Sequence, residues 1–302
     1  MTDIKIPEKR YAFFLGCLIP ARFPRFEYLA RVLFPKLGVE LVDIEGFSCC
    51  PDPVRFKGAD QLTWIVLAAR NLALAQQAGL PIITICPTCA MTLMTANHEL
   101  QRNPDLLRKV NGVLEKTGRH LDGPVEVKHF MKALYEDLGT HRLRDAVERP
   151  LSFLHIAYHG GCHENNPVDI VQFDNPFNPR KSGELLEALG AHPVDYLEIG
   201  CCGSPLSLDG KMSDSHKIMK SKTEDMVHHG AGAMAVGCAS CFQQFEIGQT
   251  MAIRGGIMGA GIPVFHFLEL MGLAMGLSLE ETGLGGHKIK NGKAWEGVVS
   301  LD

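Results

Sequence analysis

The chain has no apolar run long enough to span a bilayer, which takes about 20 residues. Its most apolar late stretch, Ile262 to Leu277, carries His266 and Glu269 and reads as a strand plus a buried helix. Basic runs and basic–aromatic interleaving are missing, aromatics make up only 7%, and the net charge is -4. Nothing therefore calls for nucleic acid or an anionic membrane surface. The start, Met1 to Arg10, is too polar for a secretory signal, and the apolar run Tyr11 to Ile19 is nine residues long and contains Cys17. Neither a glycine-rich nucleotide fingerprint nor a Ser-His-Asp ordering is present. What remains is a globular composition, 46% hydrophobic and 21% charged over 302 residues, which on length implies two domains.

Against those absences stand ten cysteines with none left over. Cys17, Cys49, Cys50, Cys86 and Cys89 are spaced C-x31-CC-x35-C-x2-C. Cys162, Cys201, Cys202, Cys238 and Cys241 are spaced C-x38-CC-x35-C-x2-C. The repeat implies two soft-metal sites. Disulfides are one alternative, but they belong to oxidising compartments and mostly to small domains. Adjacent cysteines also pair poorly, because their side chains diverge. Zinc is a second alternative, since Cys-x2-Cys is a familiar half-site, yet zinc takes four ligands and each set offers five. A cubane iron–sulfur cluster also takes four thiolates. Five thiols per half imply something beyond an ordinary cubane.

The two sets resemble the cysteine-rich CCG domain that occurs twice in the B subunit of heterodisulfide reductase. The likeness runs from Tyr11 to about Gly276. It implies that each five-cysteine set holds a noncubane [4Fe-4S] cluster of two fused [2Fe-2S] units, with the substrate disulfide cleaved between the two. It also implies two partners, a small ferredoxin-like protein with cubane clusters (the C subunit of such complexes) and a flavin-containing one (the A subunit), since this chain has no motif for either group. The second pair is followed by Gly203, as the motif requires; the first is followed by Pro51, which has no N–H to offer a sulfur. Methanogenic members tend to be richer in glycine where this chain reads Gly203-Ser204-Pro205. That departure favours the sulfur-oxidising type of complex, whose substrate would be carried on a lipoate-bearing protein, over reduction of the coenzyme M–coenzyme B disulfide.

Hydrophobic patterning places the thiols on a skeleton. Short apolar runs at 11–15, 39–44, 81–85 and 125–129 read as strands, with helices at 24–37, 60–78, 88–98, 104–117 and 130–138. The second half repeats the plan, with strands at 151–158, 194–199, 233–236 and 262–266 and helices at 182–189 and 214–229. The expected fold is α/β: two pseudo-symmetric repeats, each a small parallel sheet flanked by helices, with cysteine loops at the strand C-terminal ends, where open parallel sheets bind ligands. Lys128 to Leu134 and Phe265 to Met271 are visibly similar, which supports duplication independently of cysteine. The expected domains are 1–149 and 150–302, the latter including a Gly- and Lys-rich tail from Leu277 that is either loosely held or a docking segment.

His159 and His163 flank Cys162, where they either tune the second cluster, donate a hydrogen bond to sulfur or deliver a proton to a departing thiolate, or are loop histidines satisfied by backbone; His163 is the catalytic candidate. His129 and His266 occupy equivalent strand ends and read as structural; His228 and His229 suit a helix C-terminus. Arg22, Arg25, Arg55 and Lys57 lie near first-half cysteines, where they either pair with an anionic substrate group or are solvated. The twelve methionines read as packing residues. A different class of function, a non-catalytic electron-transfer or zinc-binding module, stays open beside the catalytic one. The expected compartment is the cytoplasm, where thiols stay reduced.

Overall fold

A computed structural model describes residues 8–197 and 200–301. It contains two four-stranded sheets, both wholly parallel. The first has β1 (Lys9–Phe14), β2 (Val39–Val42), β3 (Ile82–Thr84) and β4 (Val127–His129) in the order β2-β1-β3-β4. The second has β5 (His155–His159), β6 (His192–Pro193), β7 (Ala233–Val236) and β8 (Val264–His266) in the matching order β6-β5-β7-β8. The α/β duplication expected from the sequence is therefore the observed architecture.

The first sheet is buried on both faces, as parallel sheets are. Side chains alternate along a strand. Ala12, Phe14 and Ile82 point into a cluster formed with helices Gln61–Gln77, Pro87–Arg102 and Pro104–Leu114. Tyr11, Phe13 and Ile83 point the other way, into a larger cluster that includes Ile156, Met234 and Phe265 of the second half. One apolar core thus runs across the seam. There Phe26 of helix Pro24–Lys36 stacks on His266 at 4.0 Å between ring centroids and meets Phe242 edge-on at 5.1 Å.

Element ends shift for local reasons. Asp60 caps the helix expected from it by accepting the Thr63 N–H, so the helix begins at Gln61. Cys86 and Cys238 are the N-caps of helices Pro87–Arg102 and Ala239–Arg254. In the second half, residues 151–154 turn before β5, with the Leu154 N–H bonded to the Leu151 carbonyl. The strand expected at 194–199 is instead the two-residue β6 just before it; residues 198 and 199 lie outside the described residues. The tail is packed. Leu284, Ala294 and Val298 are buried, and Trp295 stacks parallel to Phe265 at 6.3 Å. His287 meets buried Glu269 at 3.0 Å, and Arg25 donates to the Gly283 carbonyl.

Candidate functional site

Every cysteine sits beyond the C-terminal end of a strand, and the crossovers bring the loops of both sheets to one place. All ten thiols line a single cavity of about 260 Å³ between the two halves. None is in a disulfide. Within each half the thiols touch in the same sequence: Cys17 meets Cys49, then Cys50, Cys89 and Cys86; Cys162 meets Cys201, then Cys202, Cys241 and Cys238. Two of these contacts are 3.7 Å, Cys17 to Cys49, and 3.5 Å, Cys202 to Cys241.

The backbone is shaped to let these sulfurs meet. Gly16 and Gly161, each just before the first cysteine of its set, have φ of +69° and +74°. A Cβ on Gly16 would lie 2.7 Å from the Cys89 Sγ, and one on Gly161 would lie 3.2 Å from the Cys241 Sγ. Both the handedness and the closeness demand glycine. Gly203, at φ +86°, donates its N–H to the Cys201 Sγ at 3.4 Å. In the first half Asn71 performs a different service: its side chain accepts from the Ser48 N–H at 3.0 Å and donates to the Cys49 carbonyl at 3.3 Å.

Electrostatics concentrate negative charge on sulfur. Hydrogen bonds from Cys49 and then Cys89 hold Cys50 down to about 6. Those from Cys162 and Cys202 hold Cys201 well below the usual thiol value. The neighbours that keep their protons, Cys17, Cys89, Cys162 and Cys241, are pushed up, and Cys202 rises to about 12 through its bond with Cys201. Hydrogen-bonded thiols placed at helix N-termini and against glycine backbone suit an anionic, cation-seeking centre. The donor set of each half fits an iron–sulfur group.

Around the cysteines the wall is mostly apolar, with Leu15, Leu18, Ile19, Val54 and Leu208 contributing. His163 is half-buried in it, and its Nδ1 lies 3.0 Å from the Thr88 hydroxyl across the seam; burial pushes its pKa down. Arg55 lines the cavity without being free. It donates to the Asp209 carboxylate at 2.8 Å and to the Pro205 carbonyl at 2.9 Å, tying the loop after one cysteine pair to the loop after the other. Of the other basic residues near the first set, Lys57 pairs with Glu99 at 2.7 Å, Arg25 holds Gly283, and Arg22 does not line the cavity.

The histidines divide as follows. His129 and His266 are buried at equivalent strand ends, and burial holds both down to about 3, so they are neutral. The His129 Nε2 reaches the Gly237 carbonyl of the other half at 3.2 Å, and His266 caps helix Phe267–Ala274. His159 is fully buried close to Cys202 and Cys241. The sequence reading did not single out Thr88, Asn71, Asp209 or the buried Glu164, whose carboxyl accepts from Tyr158 and Ser182 and is raised by burial to about 8. Asn71 alone had a visible signal, as an uncharged polar residue beside Arg70 in the otherwise apolar stretch Ala68 to Ala75.

This is the construction of a tandem cysteine-rich protein that assembles two thiolate centres at one seam. The cysteine-rich (CCG) domain family matches residues 11–94 and 156–246. The chain is 34% identical to the B subunit of a CoB-CoM heterodisulfide reductase of Methanosarcina acetivorans, over 93% of this chain and 94% of that protein. It is also 34% identical to a protein of Archaeoglobus profundus described as like the heterodisulfide reductase B subunit, over 90% of this chain and 92% of that one. It is 31% identical to the 8-methylmenaquinol:fumarate reductase membrane anchor subunit of Wolinella succinogenes, over 92% and 96%. The chain belongs to the family of heterodisulfide reductase B subunits. A solved Helicobacter pylori protein shares the fold, with a TM-score of 0.72 at 17% identity, over 95% of this chain and 53% of that one. Among the described residues no helix is long and apolar enough to cross a membrane.

Proposed function

We propose that the chain is the iron–sulfur catalytic subunit of a cytoplasmic heterodisulfide reductase-like complex. Its two five-cysteine sets each hold a noncubane [4Fe-4S] cluster, Cys17, Cys49, Cys50, Cys86 and Cys89 in residues 1–149 and Cys162, Cys201, Cys202, Cys238 and Cys241 in residues 150–302. The observation that carries this reading is that all ten thiols line one cavity. A disulfide entering there has sulfur-rich walls on both sides. The reaction is R–S–S–R′ plus two electrons and two protons giving two thiols, or its reverse. An iron–sulfur group, when bound, supplies one-electron transfer and a Lewis-acidic metal for sulfur. The chain's own groups supply the rest: apolar Leu18 and Ile19 exclude water, and His163, oriented by Thr88, moves the proton. Electrons arrive from the ferredoxin-like and flavin-containing partners, the C and A subunits of the same complex.

Within that reaction we favour the sulfur-oxidising type, with a disulfide or persulfide on a lipoate-bearing carrier. Support comes from the wall itself. Its guanidinium, Arg55, is taken by Asp209. Asp52 accepts the N–H groups of Val54 and Arg55. Among the described residues no lysine or second arginine lines the wall to meet a strongly anionic substrate, whereas an uncharged dithiolane on an aliphatic arm suits apolar surfaces.

The test is anaerobic metal and sulfide analysis of the isolated complex, with turnover of a disulfide using reduced viologen as electron donor. About eight iron atoms per copy of this chain, four for each cluster, are expected beyond those of the partner subunits, together with inorganic sulfide. One or two zinc atoms, or iron-loaded protein inert toward every disulfide, would overturn the reading.

A further inference from the structure

Three residues before the first cysteine of each set the chain places a side chain at the end of the strand. In the first half it is Phe14, which pairs in register with Thr84 of β3; in the second it is His159, which pairs with Val236 of β7. Phe14 is apolar and packs edge-on against Phe47. His159 is fully buried, and its Nδ1 lies 2.9 Å from the Tyr196 hydroxyl. Its Nε2 has no hydrogen-bond partner among the described residues, although it is shielded from solvent. A ring nitrogen of His159 and the Sγ atoms of Cys202 and Cys241 all lie within 4.8 Å of one another.

A buried, unpaired imidazole nitrogen is costly unless something answers it. The Tyr196 hydroxyl engages Nδ1, and with the phenol as donor there the ring hydrogen sits on Nε2. In that tautomer Nε2–H is the ring's unanswered donor, in a ring that lies beside the two sulfurs. We infer that His159 donates an N–H hydrogen bond to sulfur in the second set alone, so that the second iron–sulfur centre is easier to reduce than the first. Hydrogen bonds to sulfur raise reduction potentials by stabilising the more negative state. The first set has Phe14 in that place, and Pro51 denies it the backbone donor that Gly203 gives the second. Both differences act in the same direction. Electrons entering the chain would come to rest on the second centre, beside His163. The inference rests on the two-cluster reading above.

The experiment is a redox titration of the anaerobic complex followed by electron paramagnetic resonance, with iron content measured alongside. His159→Phe installs the first half's residue. It should lower the reduced-to-oxidised ratio of the second centre about tenfold at fixed potential, equivalent to about 59 mV for one electron, and leave the first centre unmoved. His159→Gln, which keeps an N–H, should recover most of the shift. Tyr196→Phe releases the tautomer without altering the sulfur side, should give a smaller shift of the same sign, and decides the matter if the His159 variants do not fold. An unmoved second potential with full iron overturns the inference while sparing the cluster reading. Loss of about four iron atoms in His159→Phe overturns it by making His159 a ligand. A wild-type complex with no iron beyond that of its partner subunits overturns both.

Discussion

The two halves share a skeleton and differ in what surrounds it. Strand order, the thiol contact sequence and the left-handed glycine before the first cysteine are the same in each. The side chains that follow that cysteine are not. Leu18, Ile19 and Pro20 follow Cys17, whereas His163, Glu164 and Asn165 follow Cys162. Phe13 becomes Tyr158, whose hydroxyl donates to Glu164 at 2.8 Å, and Phe14 becomes His159. Backbone and sulfur have been kept in duplicate, while polar groups capable of hydrogen bonding or proton transfer gather on one side. Among the described residues that line the cavity, the first half contributes the charged pair Asp52 and Arg55 and the second contributes His163.

The largest expected effect comes from breaking one set at a time. Cys50→Ser and Cys202→Ser should each remove one centre's spectroscopic signal and about four of eight iron atoms, sparing the other. Loss of both signals from either variant would mean that the halves load as one unit. A smaller effect is expected at the cross-half contact of Arg55. Asp209→Asn frees the guanidinium and should raise kcat/KM for a carboxylated disulfide relative to a neutral one of equal size about tenfold. Arg55→Gln should lower the same ratio. Parallel changes for both substrates would make the contact purely structural.

The smallest effect tests where the halves are alike. His129 and His266 are held near 3, below the ordinary imidazole value of about 6.5. Between those values the unfolded chain takes protons that the folded chain refuses. Their contribution is therefore intact above about pH 6.5 and lost as pH falls toward 3, at about 1.4 kcal/mol per pH unit for each histidine. Denaturant midpoints from pH 7 to 5 should show that slope reduced in His266→Asn, which keeps a capping side chain, and reduced similarly in His129→Asn. An unchanged slope in one variant would mean that the two positions are not equivalent.

Much of this could be read in the sequence, because cysteine spacing and apolar runs are local signals. The α/β duplication and the helices around residues 24–36 and 61–77 followed from them. What escaped depends on contacts across the seam. Arg55 stands 154 positions from Asp209 and Thr88 stands 75 from His163, so nothing local ties them together. The short β6 was displaced because its strand is only two residues long and its pairing partner, not its composition, sets its position. The tail's Gly and Lys content concealed widely spaced anchors, Leu284, Ala294 and Val298, that are buried.

Phe26, Phe242 and His266 fill the seam between the halves, ring against ring. A vice with welded jaws does not open for its workpiece. The gap between the two sulfur walls is therefore determined when the chain folds, before any guest arrives. A substrate must thread in slender end first, and bulky chemistry has to stay outside on whatever delivers it.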